Sequence, residues 1–238
     1  MTDLDRLKTK LVEIKQRGFI KTLRKGNTGV GYTLETLLGL DENNDCGADF
    51  GDIELKAKRD GSSSSKLSSF TQAPIWLVKP RQFIKTHGES NQNQERFNFY
   101  CTVKYGAVNS RGLTLKTQDD PVYGDTLWLH SQKMNCDLAK WPLLTLSFRQ
   151  EQKLNKMVVI GAETKGRGAS EFFHYHDADF YSNPCPKRLR KLIEDGVLVV
   201  EPRMWLNPQT NKLRDRGTAF RISRNKIHLM YKHHEKIL

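Results

Sequence analysis

Long apolar runs are missing from this 238-residue sequence. No stretch of about 18 consecutive apolar residues occurs, so no membrane-spanning helix is expected. The opening residues, MTDLDRLKTK, lack the apolar centre of a secretory signal. Cysteine is scarce. Cys46, Cys101, Cys136 and Cys185 are widely spaced, and none lies in a CxxC pair. That argues against a cysteine zinc site and a disulfide framework, and for reduced thiols in a cytoplasmic protein. No internal repeat is visible. The glycines of GNTGVG, residues 26–31, are not followed by the lysine and Ser/Thr of a P-loop.

Positive charge is plentiful. Lysine and arginine number 39 against 27 aspartates and glutamates, a net charge of +12. This excess points to a polyanionic partner, most simply nucleic acid. It is uneven: thirteen bases face five acids from Lys187 to the C-terminus. The stretch from Asp41 to Glu54 instead holds six acids and no base. A basic protein with one acidic patch fits a polyanion binder that also holds a cation. A solvated acidic loop is the plain alternative.

The hydrophobic fraction of 37% and the chain length suit a folded domain with a substantial core. Leu4, Leu7, Leu11 and Ile14 share one face of a helix expected over 3–17. A second helix is expected from 33–38, ended by Gly39. Residues 52–58 alternate, with Ile53, Leu55 and Ala57 on one face and Glu54, Lys56 and Lys58 on the other, which predicts a half-buried strand. Further strands are expected at 97–105, 113–115, 126–130, 143–148, 157–160, 197–203 and 218–222. Helices are expected at 187–195 and, rich in bases, at 224–236. GSSSSKLSS, residues 61–69, reads as a linker or flexible loop. The order implies a mixed α/β (α+β) fold.

Asp49, Glu54 and Lys56 form the pattern D-x4-E-x-K. Phosphodiester hydrolysis uses such a set. Two carboxylates offer oxygen ligands to Mg2+, and a neighbouring lysine orients the nucleophile and stabilises developing charge. Glu54 and Lys56 are two apart on a strand and so share a face. The pattern is short, and an ordinary surface Glu–Lys pair satisfies it as well. Asp52 is a spare carboxylate ranked below Asp49. FHYHDAD, residues 173–179, offers His174, His176, Asp177 and Asp179, a weaker metal candidate. His233 and His234 read as solvated or phosphate-facing.

GNTGVGYTLETLLGL followed by ADFGDIELKAKR resembles the MvaI/BcnI restriction endonuclease family, itself similar to the mismatch-repair nicking enzyme MutH. These are PD-(D/E)xK nucleases. KLNKMVVIGAETKG (153–166), DGVLVV (195–200) and RDRGTAFRIS (214–223) extend the resemblance over most of the chain. It implies a PD-(D/E)xK core with a C-terminal recognition lobe. One nuclease domain over 1–238 would then have a mainly catalytic lobe at about 1–165 and a mainly recognition lobe at about 166–238. It implies metal-binding Asp49 and Glu54, catalytic Lys56 and, on a helix, active-site Glu35. Lys153 falls where the nicking relatives carry an active-site lysine, and is grouped here with the DNA contacts. The cofactor implied is Mg2+. The setting implied is the cytoplasm of a bacterium or archaeon, with a cognate DNA methyltransferase in the same system but not stably bound.

The partner implied is double-stranded DNA with a CCNGG-type site. Lys25 and Asn27, in the glycine loop, would meet phosphates. Arg214, Asp215, Arg216 and Arg221 belong to the recognition part. Each of these arginines is open to base reading or to phosphate binding. FTQAP (70–74) and GTAF (217–220) look like the MvaI form, whose site is CC(A/T)GG, and place Thr71 among the DNA contacts. The BcnI form has histidines at the positions of Thr71 and Ala219. Arg214 and Arg216 stand where the MvaI form has histidines. A monomer that cuts by two sequential nicks is expected. A strand-nicking repair nuclease and a DNA-binding module without catalysis are the alternatives.

Overall fold

The computed structural model describes residues 1–40, 48–61 and 66–238, apart from the Gln94 side chain. Cys46, the first half of the acidic stretch and residues 62–65 of the 61–69 segment lie outside the described residues.

The chain opens with α1 (Asp3–Gln16), β1 (Ile20–Lys21), α2 (Gly29–Leu38) and β2 (Ile53–Arg59). There follow β3 (Lys66–Gln72), β4 (Ile75–Trp76), α3 (Pro80–His87), β5 (Glu89–Asn91) and β6 (Arg96–Tyr100). The middle holds β7 (Leu113–Asp120), β8 (Gly124–Ser131), β9 (Cys136–Pro142) and α4 (Leu143–Leu154). Then come β10 (Lys156–Lys165), β11 (Phe172–Pro184), α5 (Leu189–Glu194), β12 (Leu198–Leu206), β13 (Leu213–Ser223) and β14 (Tyr231–Lys236). Contacts divide the chain into two units, each drawn from separate segments. The first takes 1–65, 151–185 and 228–238; the second takes 66–150 and 186–227. No helix among the described residues is long and apolar enough to cross a membrane.

The first unit is built on a mixed sheet in the order β1-β11-β10-β2, with β14 also paired to β11. β10 runs parallel to β2 and antiparallel to β11. Leu7, Leu11 and Ile14 of α1, and Val30, Leu34 and Leu38 of α2, pack on one sheet face against Ile53, Leu55, Val158, Ile160 and Phe173. Each such side chain, fully buried, contributes about 1.5–3 kcal/mol relative to exposure. Strand alternation then forces Glu54 and Lys56 onto the opposite face. α1 is fixed at its start by a capping box: the Thr2 hydroxyl accepts the Asp5 N–H (3.1 Å), and Asp5 Oδ2 accepts the Thr2 N–H (2.9 Å). α2 ends at Gly39 with φ +77°, as its position in the sequence suggests.

The second unit holds two sheets, β3-β13-β12-β6-β5 and β4-β9-β8-β7. α3 packs on β6 and β12, where Phe83 meets Phe99 edge-on with ring centroids 4.7 Å apart.

Four expectations are corrected. Residues 143–148 are not a strand but the first turns of α4. Leu143, Leu146 and Leu154 are buried at helical spacing, while Leu144 and Phe148 are exposed, and those two apolar surface residues obscure the period. The segment 224–236 is not one helix. It is a 3-10 turn, Arg224–Met230, followed by β14 paired antiparallel to β11. Tyr231 is β14's one buried residue, so no alternation marks the strand. The strand expected at 97–105 ends at Tyr100. Lys66–Gln72, which overlaps the expected flexible segment 61–69, is strand β3 at the edge of its sheet, paired to β13.

Candidate active site

Glu54 is only 6% exposed, an unusual position for a carboxylate. Its Oε1 accepts a hydrogen bond from the Lys56 ammonium, two residues on along the same face of β2. Its Oε2 lies 3.6 Å from Nζ of Lys153, near the end of α4. That oxygen is buried and has no hydrogen-bond partner among the described residues. Burial pushes the Tyr231 phenol of β14 upward in pKa, and the Glu54 charge adds to the shift. Tyr231 therefore belongs to the surroundings of this carboxylate.

Asp49 reaches the same strand from the preceding turn. Its exposed carboxylate accepts the Leu55 N–H through Oδ2 at 2.8 Å. The turn between the two acids is tight. Phe50 and Ile53 exchange backbone hydrogen bonds of 3.0 and 2.9 Å, and Gly51 has φ +58°. A Cβ on Gly51 would overlap the Asp3 carboxylate of α1, which also accepts the Asp52 N–H. The Asp52 side chain pairs with Lys156, beside β2 on β10, so it is engaged away from the Glu54–Lys56 pair. The structure thus brings Glu54, Lys56 and Lys153 together, with Asp49 bonded to the backbone of the same strand. Glu35 comes from α2, which packs beside β2, and its carboxylate lies over Gly31 one turn earlier. The Tyr175 hydroxyl donates to the Val30 carbonyl at 2.8 Å. Burial raises its pKa, and Glu35 is one of the charges that add to the shift.

His176 pairs with Asp60 at 2.5 Å, and His234 with Asp179 at 3.0 Å. Among the described residues no three His, Cys, Asp or Glu side chains are grouped to hold a metal ion. FHYHDAD therefore forms ion pairs and ring contacts rather than such a cluster.

In the second unit, Arg214, Asp215 and Arg216 are exposed on β13. A bulge interrupts the β12–β13 ladder where Arg203 meets Arg216 and Gly217, the glycine at φ +73°. The Arg203 guanidinium donates to Thr71 Oγ1 at 3.2 Å and to the Arg216 carbonyl at 3.4 Å. Its Nε is buried with no hydrogen-bond partner among the described residues. Burial pulls its pKa down, and Arg221 and Arg216 act in the same direction. Arg221 is held by Glu201 (2.7 Å) and the Lys66 carbonyl (2.9 Å). Lys25 and Asn27 are exposed in the loop before α2.

The family model of the MvaI/BcnI restriction endonuclease family matches residues 8–231. The chain belongs to that family. Its mixed α/β fold matches a solved structure described as a restriction endonuclease MvaI–cognate DNA substrate complex, with a TM-score of 0.81 and 27% identity over the whole of both chains. It also matches restriction endonuclease MvaI in the absence of DNA, with a TM-score of 0.52 and 26% identity, over 100% of this chain and 99% of that one. A comparison with curated proteins found no match.

An MvaI/BcnI endonuclease has to handle a phosphodiester, and the donors present suit a hard cation. Asp49 and Glu54 offer oxygen only, and Glu54 Oε2, buried and without a hydrogen bond among the described residues, is an acceptor with capacity to spare. Two features of this family member escape a reading of the sequence. Arg203 is the first. It lies on the outward-facing register of β12, where the alternation of 198–206 could have pointed to it. The second is the ion pair of Arg59 with Glu171, 112 residues away, for which no local signal exists.

Proposed function

We propose that this restriction endonuclease hydrolyses double-stranded DNA at a CCNGG-type site, CCWGG favoured, with Mg2+ as cofactor. The observation that carries the reading is the Glu54 carboxylate. It is buried, bonded to Lys56 at one oxygen and, at the other, 3.6 Å from Lys153 with no hydrogen bond among the described residues, and Asp49 is tied to the next backbone N–H. A buried carboxylate left short of partners is costly unless a cation completes it.

Asp49 and Glu54 would hold the ion. When bound, Mg2+ acts as a Lewis acid on the scissile phosphate and makes a neighbouring water more acidic. Lys56 is anchored by Glu54, so its ammonium has a fixed position from which to hold the attacking water and the phosphate oxygen. Lys153 would supply a second positive charge beside Glu54 and add attraction for the phosphate. Glu35, on α2, would complete the active site as a hydrogen-bond acceptor. The first unit would carry the chemistry and the second, through Thr71, Arg203, Arg214, Asp215 and Arg216, the recognition of bases and phosphates. Arg221, held by Glu201, would support this sheet until DNA draws it away. Lys25 and Asn27 would face phosphates in front of α2.

The enzyme would act on incoming DNA in a prokaryotic cytoplasm, as a monomer, beside a methyltransferase that protects the same site without binding it stably. The test is cleavage of a defined DNA with Mg2+, followed by sequencing of the ends. Ends at sites other than CCNGG would refute the specificity. The contact of Lys153 with Glu54 favours a second reading, a strand-nicking enzyme like MutH, because the nicking relatives carry a lysine at this place. Plasmid that stops at the nicked circle would select that reading.

A further inference from the structure

Arg59 ends the strand that carries Glu54 and Lys56, yet its side chain points to the glycine loop before α2. Nε and Nη2 donate to the two carboxylate oxygens of Glu171 at 2.7 and 2.8 Å. Nη1 donates to the Asn27 carbonyl at 3.0 Å, and Nη2 to the Gly26 carbonyl at 2.9 Å. The guanidinium also lies 5.1 Å over the Phe173 ring. Arg59 and Glu171 side chains are only 19% and 11% exposed, so water competes poorly for these bonds. Nearly all the donors of Arg59 are spent within the protein, and it has little left to offer a phosphate.

The loop is fixed from its other side as well. The Glu171 carbonyl accepts the Thr22 N–H at 2.8 Å, and the Thr22 hydroxyl donates to the Arg24 carbonyl at 2.7 Å. Gly29 packs so close that a Cβ would overlap the Arg24 carbonyl oxygen. Lys25, Asn27 and Thr28 are left exposed at the end of this clamp, and Thr28 makes no side-chain cap for α2.

We propose that Arg59 and Glu171 are positioning residues for DNA binding: their fork fixes the 24–29 loop to the end of the catalytic strand and so aims Lys25 and Asn27 at a backbone phosphate. The inference rests on the proposed function, in which that loop meets DNA. With the Gly26 and Asn27 carbonyls clamped, the exposed Lys25 and Asn27 sit on a fixed backbone. Arg59 is on the same strand as Glu54, so the loop is tied to the strand that carries the proposed chemistry and adds binding there.

The experiment is steady-state cleavage of a duplex in Mg2+ by wild type, Arg59→Lys, Glu171→Gln, the double variant Lys25→Ala/Asn27→Ala, and the latter combined with Arg59→Lys. Melting curves and trypsin nicking after Lys25 are followed in parallel. Lysine keeps the charge but cannot make the fork. Arg59→Lys should raise KM about tenfold with kcat within about twofold, as expected when binding is lost without transition-state contacts. Nicking after Lys25 should accelerate. The loop substitutions should raise KM in wild type and add little in the Arg59→Lys background, because a loose loop has already lost its aim. Equal loop effects in both backgrounds overturn the clamp, as does a lower kcat and melting temperature with KM unchanged. Should Arg59→Lys not fold, Glu171→Gln gives the same comparison. Loop substitutions that leave KM untouched in wild type would overturn the placing of the loop on DNA itself.

Discussion

Nζ of Lys153 lies 3.6 Å from Oε2 of Glu54, the carboxylate oxygen that Lys56 leaves free. One acid is thus flanked by two lysines that enter from different elements, β2 and α4. The arrangement predicts different losses for the two lysines. Lys56→Ala removes the ammonium bonded to Glu54 and should abolish cleavage. Lys153→Ala should slow single-turnover cleavage by about 10²-fold, the scale for removing one charged donor beside a reacting phosphate. DNA binding in Ca2+ should change only a few-fold. A Lys153→Ala enzyme cutting at the wild-type rate would make that lysine a bystander.

Removal of the ion is the second test. EDTA, or Ca2+ as the only divalent cation, should give no cleavage, and Mg2+ or Mn2+ should restore it. Glu54→Ala and Asp49→Ala should each lose cutting while melting cooperatively. Full activity in EDTA would remove the two-carboxylate mechanism.

How much of this was legible in the sequence depended on distance along the chain. The alternation of Ile53, Glu54, Leu55 and Lys56 is local, and it put the acid and the lysine on one face correctly. The approach of Lys153 to Glu54 joins residues about a hundred positions apart, and no period reports it. α4 was misread because exposed Leu144 and Phe148 hide the buried spacing of Leu143, Leu146 and Leu154. β14 was misread because an edge strand rich in Lys and His buries only Tyr231. On β13, Arg214 and Arg216 were singled out from sequence. The bulge that makes Arg203 their neighbour depends on Gly217 and on strand pairing.

Arg221 was also singled out as a DNA contact, and its ion pair with Glu201 gives it a second consequence. Both side chains are largely buried, at 22% and 16% exposure. Arg221→Ala leaves Glu201 short of a partner and should cost about 2 kcal/mol of stability, besides any loss of DNA binding. Arg214→Ala and Arg216→Ala, at exposed positions, should leave the melting temperature nearly unchanged and weaken DNA binding. Urea unfolding of the three variants checks the contrast. An unchanged midpoint for Arg221→Ala would show that the ion pair contributes nothing.

A pH effect on stability follows from Asp120. The Lys140 ammonium, bonded to its carboxylate, and the N–H groups of Val122 and Tyr123 hold its pKa below the ordinary value. A carboxyl with a lowered folded pKa stabilises fully above its unfolded value, near 3.8, and loses that contribution as pH falls through the folded value. Wild type should therefore melt higher than Asp120→Asn at neutral pH, and the gap should close only below about pH 4. A gap that stays constant down to pH 2 would remove the linkage.

Stoichiometry is the last prediction. A CCWGG site is nearly two-fold symmetric, and symmetric dimers are the common answer to such sites. In this chain one carboxylate pair lies on β2 and the turn before it, and the exposed arginines lie on the dissimilar sheet of β12 and β13. Thr71 and Arg203 are joined to each other within one chain, so the proposed recognition surface would need no second copy. One such centre breaks one strand in each binding orientation. A double-strand break then requires release and rebinding the other way round. Nicked circular plasmid should rise and fall before linear DNA appears, and lowering the enzyme-to-plasmid ratio should prolong the nicked stage. Light scattering of the Ca2+-held DNA complex should give one chain per duplex. Two chains on one site, with linear product forming directly, would show that the enzyme meets its site as a dimer.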